Sequence, residues 1–143
     1  MTLRRSPLLR YITFKGRLGR KQYFMYHIIL IIGALFFLDV SITIDKESLP
    51  AALAIFGPMT AAVSLLFSMR RFHDMNRPGW YALIMYAINL AATRLAPSFP
   101  MPAALLGCVS FLFVVVLFCK KGTAGENPYG PDPLVKKSAS LSQ

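Results

Sequence analysis

Acidic side chains are scarce in this chain: 143 residues carry 6 Asp and Glu against 16 Lys and Arg, for a formal charge of +10. Such an excess can mark a nucleic-acid binder. That function needs a charged face on a soluble fold, whereas here the Lys and Arg flank long uncharged runs, so nucleic acid is not an expected partner. Cysteine is sparser still. Cys108 and Cys119 share one apolar run and would lie roughly 16 Å apart at helical rise, too far for a disulfide. There is no C-x-x-C, H-E-x-x-H or calcium-loop spacing, and His27 and His73 are distant in sequence. No metal or other cofactor is expected.

What is abundant is apolar: 55% of residues are hydrophobic and the mean hydropathy is +0.51. Crossing roughly 30 Å of hydrocarbon takes about 20 such residues. Four runs qualify as spans, at about 23–44, 49–69, 79–96 and 102–119. The first two are long. The third carries Asn89 and Arg94, the fourth sits at the short limit, and the two read as an antiparallel pair. The expected fold class is therefore all-α, a polytopic membrane protein built as a four-transmembrane-helix bundle. Residues 1–22 read as a basic juxtamembrane tail and 23–119 as the membrane domain. Residues 120–143 read as a C-tail whose segment 122–133 is ordered by turns. The first run is read as a span rather than a cleaved leader, because the nearest cleavage-like tripeptide, Ala52-Leu53-Ala54, already opens the second run.

Loop charge sets the expected direction. Arg4, Arg5, Arg10, Lys15, Arg17, Arg20 and Lys21 precede the first span, Arg70, Arg71 and Arg77 separate the second from the third, and Lys120, Lys121, Lys136 and Lys137 follow the fourth. The other side holds only Lys46 and Arg94, so the positive-inside rule puts both termini in the cytoplasm. Helices in lipid pack through small residues. The four-residue spacings Gly57/Ala61, Ser64/Ser68, Ala87/Ala91 and Ala103/Gly107 predict close approach, in a compact bundle that is compatible with a homo-oligomer.

Three segments are unlike ordinary membrane loops, and the topology puts all of them at one face. They are Phe14-Lys15-Gly16-Arg17-Leu18-Gly19-Arg20-Lys21-Gln22-Tyr23, then Arg70-Arg71-Phe72-His73-Asp74-Met75-Asn76-Arg77-Pro78-Gly79-Trp80, then Gly122-Thr123-Ala124-Gly125-Glu126-Asn127-Pro128-Tyr129-Gly130-Pro131-Asp132-Pro133. In these segments the sequence resembles a bacterial inner-membrane family known as domain of unknown function 805. That family pairs F-x-G-R-x-x-R-x-x-Y, R-R-x-H-D-x-x-x-x-G-W and G-x-x-G-x-N-x-Y-G-x-D-P in this order. Departures are minor: Pro78 stands where Ser is usual, and Phe24 and Tyr81 where Trp is common. The resemblance implies a multi-pass bacterial inner-membrane protein and, for the family at large, no settled biochemical activity.

Read physically, Arg17 and Arg20, three apart, would share a face if their segment is helical and offer guanidinium forks for phosphate or carboxylate, or act as anchors to anionic headgroups. Arg70 and Arg71 fall at the carbonyl end of a helix, where cations are favoured. Asp74, an acid in a cationic loop, invites pairing with arginine and so orients His73. A structural ion-pair network is preferred to proton transfer here, since no nucleophile or metal partner stands at a diagnostic spacing. Trp80 reads as an interfacial anchor, with Tyr23 and Tyr81 in the same belt. Gly122 is expected to cap the fourth helix in a left-handed conformation. Asn127-Pro128 and Gly130-Pro131 are expected to impose turns, and Tyr129 and Asp132 to fold back onto the arginine-rich face.

These residues form a hypothetical cytoplasmic-face binding cluster: Arg17, Arg20, Tyr23, Arg70, Arg71, His73, Asp74, Trp80, Asn127, Tyr129 and Asp132. The expected function is non-enzymatic binding of anionic phospholipids, or of a partner protein, at that face. One alternative is a small oligomeric transporter or channel using Asp39, His27 or Asn89. Another is a membrane-interface enzyme with His73 and Asp74 as acid-base groups.

Overall fold

A computed structural model of the chain describes residues 15–44, 47 and 49–134. Phe14, Lys46, the first basic residues of the N-tail and Lys136 and Lys137 lie outside these residues. The architecture is four helices in sequence: α1 (Arg20–Ile44), α2 (Leu49–Asp74), α3 (Trp80–Leu95) and α4 (Pro100–Cys119). No strand occurs among the described residues.

The outward faces explain why water is the wrong solvent. Ile32, Leu35 and Phe36 on α1, Ile55 and Met59 on α2, and Leu105, Phe111 and Leu112 on α4 are all exposed. Helices apolar all round are either buried or span a membrane. By length and composition α1, α2 and α4 are each able to cross. At 16 residues, α3 reaches only about 24 Å at 1.5 Å per residue, shorter than the third expected span. Gly79 stands at its N-cap and Pro97 follows its last turn, which fixes both ends. The backbone then turns through Leu95–Phe99, where the Phe99 amide donates to the Leu95 carbonyl at 2.7 Å. Proline at the first position of α4 lacks a donor that would be unpaired there anyway.

The end of α2 differs from the sequence expectation. Arg70 to Asp74 are its last helical turn rather than a loop. The helix stops at a Schellman motif: Asn76 is left-handed at φ 55°, the Arg77 amide donates to the Phe72 carbonyl at 2.9 Å, and the Asn76 amide to the His73 carbonyl at 3.1 Å. This keeps Arg71, Phe72 and Asp74 on a rigid helix facing the bundle, all of them buried.

Burial is concentrated near the ends of the helices that meet the three motif segments. Leu18, Tyr23, Phe72, Met75, Ala82, Met85 and Leu117 form the core. Tyr23 is 1% exposed and so belongs to this core rather than to an aromatic belt. Trp80 is half-exposed and stacks on Tyr81 at 4.4 Å. Of the small-residue pairs, Ser68 and Ala103 are buried, but Gly57 and Gly107 have no neighbour near their Cα positions and Ala61, Ala87 and Ala91 are exposed.

Residues 15–19 and the tail after α4 meet at the same end of the bundle, so the chain doubles back an even number of times. Cysteines placed at Lys15 and Leu134, in a background with both native cysteines changed to Ser, are expected to react with an impermeant maleimide from one side of the membrane. A cysteine at Glu47 should react only from the other. Labelling of all three from a single side would contradict this topology.

Candidate functional site

An α-helix leaves its last four carbonyls without intrahelical partners, and here α2 and α4 both end at the same depth, next to each other. α4 carries no basic residue in its own last turn. Its carbonyls are capped from other helices instead. Arg71 donates from Nε to the Leu117 carbonyl at 2.8 Å and from NH2 to the Lys120 carbonyl, and Arg20 donates to the Cys119 carbonyl at 3.2 Å. Cations at this end also complement the helix dipole.

The end of α2 is capped by the tail. The Asp74 carbonyl accepts the Thr123 amide at 2.8 Å and the Thr123 hydroxyl at 3.1 Å. The Asn127 side-chain amide donates to the His73 carbonyl at 3.0 Å and to the Thr123 hydroxyl at 3.0 Å. On the N-terminal side, the Leu18 amide donates to the Arg70 carbonyl at 3.1 Å.

At the centre is a buried triad. Asp74, 3% exposed, gives Oδ1 to Arg17 Nε at 3.1 Å and Oδ2 to Arg71 NH1. Both guanidiniums complete their hydrogen bonding on backbone oxygens: Arg17 on Thr123, Gly125 and Gly130, and Arg71 additionally on Leu18. Desolvating two cations and one anion is expensive, and the arrangement holds only because all six guanidinium nitrogens find acceptors.

Glycine positions follow from this packing. A Cβ on Gly122 would lie 2.0 Å from Asp74 Oδ2, so the residue is glycine because the carboxylate occupies that space. It is not a left-handed cap: α4 ends in an extended Lys120, and the positive φ angles in the tail belong to Gly125 (76°) and Gly130 (133°). At the other end of the loop, a Cβ on Gly79 would meet His73 Nε2 at 2.8 Å.

His73 and Asp74 point to different partners. Nδ1 of His73 faces the Gly16 carbonyl at 3.3 Å, which only accepts, so the ring donates there. Its face stacks on Tyr129 at 4.1 Å with an interplanar angle of 6°. Both Asp74 oxygens are engaged by arginine, and no hydrogen bond joins the two side chains. Asp132 does not contact Arg71. It accepts the Gly125 amide at 3.0 Å and the Leu134 amide at 2.8 Å, closing the tail's turns, while Asn127 and Gly130 pair through their backbones. Arg70 lies against Gly16, its guanidinium 3.7 Å from where a Cβ would stand.

The structure thus brings Arg17, Arg71, His73, Asp74, Asn127 and Tyr129 into one interlocked clasp, with Arg20 on its edge. Tyr23 sits below, bonded to the Ser68 hydroxyl at 3.2 Å, and Trp80 stands apart on the surface. Among the described residues no group of three or more His, Cys, Asp or Glu could hold a metal ion.

Two features escaped sequence reasoning. One is an open groove of about 360 Å³ lined by Arg20, Lys21, Phe24 and Phe118. The other is a polar cavity between the helices, for which the hydroxyls of Ser64 and Ser68, one turn apart, were the available signal.

The clasp residues from Arg17 to Gly130 lie within the stretch of chain that matches a known family. The family described as "Protein of unknown function (DUF805)" matches residues 11–131. The chain belongs to this family. Two relatives are the inner membrane proteins YhaI and YhaH of Escherichia coli K12, respectively 31% identical over 90% of this chain and 92% of YhaI, and 30% identical over 88% of this chain and 91% of YhaH. No solved structure matches. In this DUF805 protein Arg17, Arg71, Asp74 and Gly122 are parts of a clasp that closes one end of the bundle.

Removing the central carboxylate leaves two guanidiniums buried without a counter-ion. Asp74→Ala is expected to lower unfolding stability by about 3–5 kcal/mol, and Gly122→Ala to destabilise for want of space, as measured by thermal unfolding in detergent. Substitution of the exposed Glu126 by Ala should leave stability unchanged. An unaltered midpoint in Asp74→Ala would contradict the clasp.

A second expectation concerns acid. The Asp132 carboxyl is held below its ordinary 3.8, first by the Leu134 amide, then, against the opposing effect of desolvation, by the Gly125 amide and the Arg17 charge. A depressed folded value means its stabilisation of the tail is complete above about pH 4 and is lost as pH falls through the lower folded value. Amide resonances of Gly125 and Leu134 are expected to shift together only in that acid range, and to be insensitive to pH there in Asp132→Asn.

Proposed function

We propose that the protein is an inner-membrane protein with both termini in the cytoplasm, and that its cytoplasmic end receives anionic phospholipid headgroups. The observation that carries this reading is the groove of about 360 Å³ where Arg20 and Lys21 stand beside Phe24 and Phe118. Arg17 and Arg71 are buried in internal bonds, so the cations that face outward are the ones left to meet a ligand.

Arg20 and Lys21 are exposed at the start of α1, at the level where α4 ends. One helical turn deeper, Phe24 is half-exposed and meets Phe118 edge-on at 5.9 Å. Cation above, aromatic below is the order in which a phosphate and the first acyl carbons of a lipid arrive. Lys15, Arg77, Lys120 and Lys121 are also exposed and extend the positive field around the same end. Each such charge near an anionic surface is worth about 1 kcal/mol. The relatives' description as inner membrane proteins and the excess of basic residues on this side support the cellular placement.

The test is a titration of the purified full chain with phosphatidylglycerol, read by native mass spectrometry. Arg20→Glu with Lys21→Glu is expected to weaken retention of phosphatidylglycerol by about tenfold or more and to leave phosphatidylcholine unaffected. Equal retention by the wild-type and reversed proteins would reject the reading.

A further inference from the structure

The polar cavity between the helices is separate from both the clasp and the groove. It is half-enclosed, about 250 Å³, and its polar lining is Tyr23 and His27 of α1, Ser64 and Ser68 of α2, and Tyr86 and Asn89 of α3. Ser64 lies ten residues before the end of α2 and Asn89 nine residues past the start of α3, which sets them roughly 14–15 Å below the clasp at helical rise. That depth is within hydrocarbon, where polar side chains are expensive and mark sites by default.

The direction of each hydrogen bond can be worked out. Nδ1 of His27 faces the Tyr23 backbone carbonyl at 3.0 Å, so the proton sits on Nδ1 and Nε2 of the neutral ring accepts from the Ser64 hydroxyl at 3.0 Å. Ser68 donates to the Ser64 carbonyl at 2.9 Å, and therefore accepts from the Tyr23 hydroxyl at 3.2 Å. The Tyr86 hydroxyl stands on the same wall as the two serines, whose own protons are directed to His27 and to the Ser64 carbonyl.

The hydroxyl protons of Tyr23, Ser64 and Ser68 are thus committed internally. What remains toward the cavity are lone pairs on the phenol and serine oxygens, the Tyr86 hydroxyl, and the Asn89 side-chain amide, which both donates and accepts and to which no described residue hydrogen-bonds. Such a surface suits an uncharged group that both donates and accepts, such as a hydroxyl, and it offers an anion no Lys or Arg as counter-charge. A cation is disfavoured too: no carboxylate lines the cavity, and Arg71 lies one turn beyond Ser68. Whole drug-sized ligands occupy about 300–1,000 Å³, so this cavity suits a small head whose apolar remainder stays in the bilayer.

We propose that the cavity lined by Tyr23, His27, Ser64, Ser68, Tyr86 and Asn89 binds the uncharged hydroxyl head of a membrane amphiphile of the acylglycerol class. The hydroxyl donates to the phenol and serine oxygens, and Asn89 closes over it from the rim.

The experiment follows thermal unfolding of the full chain in a neutral detergent during titration with 1,2-dioctanoylglycerol, and with its 3-acetyl ester, which lacks the hydroxyl. The free alcohol is expected to raise the midpoint saturably and the ester not to. Asn89→Leu, whose amide supports no described contact and whose loss should spare the fold, is expected to weaken the apparent affinity at least tenfold, as is Tyr86→Phe. Arg20→Glu with Lys21→Glu should leave it unchanged, which separates this cavity from the headgroup groove. Equal shifts by alcohol and ester, an unaltered affinity in Asn89→Leu, or loss of the effect on reversing Arg20 and Lys21 would each overturn the proposal.

Discussion

Two helix ends buried side by side present a row of carbonyl oxygens that must be hydrogen-bonded, and the whole architecture of the clasp end answers that requirement. Lipid offers no donors, so the donors come from the chain itself. Arg71 reaches from α2 to the carbonyls of α4, while Thr123 and Asn127 reach back from the tail to those of α2. Cations gathered on carbonyls need a counter-charge, and Asp74 supplies it to Arg17 and Arg71 together. Remove any one component and the others are left as buried, unmatched polar groups.

This arrangement separates two kinds of basic residue that look alike in composition. Arg17 and Arg71 are internal parts of the fold, whereas Arg20, Lys21, Lys120 and Lys121 face outward. The distinction redirects functional interest away from the residues most eye-catching in the sequence. The motif arginines hold the bundle shut, and the outward cations with Phe24 and Phe118 form the surface that a headgroup would meet. A third environment lies deeper, where uncharged hydroxyls, one imidazole and one amide line a cavity without any formal charge.

The packing also differs along the helices. Close burial at the clasp end gives way to exposed small residues such as Gly57, Ala61 and Ala91 farther away. The clasp end combines the small apolar core with specific polar bonds, and the polar bonds matter there because helices in lipid gain little from hydrophobic burial against each other. The short α3 is consistent with this: it is held by its pairing with α4 and by the fit of Gly79 against His73, not by its own length.

The sequence by itself determined the four helices, their order and the gathering of three motif segments at one end, since apolar run length and charge placement are one-dimensional quantities that a bilayer reads directly. It also indicated that Asp74 would seek arginine. Which arginines it found, that Gly122 yields its Cβ space to that carboxylate rather than capping a helix, and that Arg70 to Asp74 continue α2 were decided only in the tertiary structure. Arg71 and Asp74, three residues apart, meet because α2 continues through them, whereas the Arg17–Asp74 pair joins residues 57 apart in the chain, and a contact between distant segments leaves no periodicity in either of them. The same holds for the groove and the polar cavity, whose walls are drawn from two and from four helices that meet only once the chain has folded.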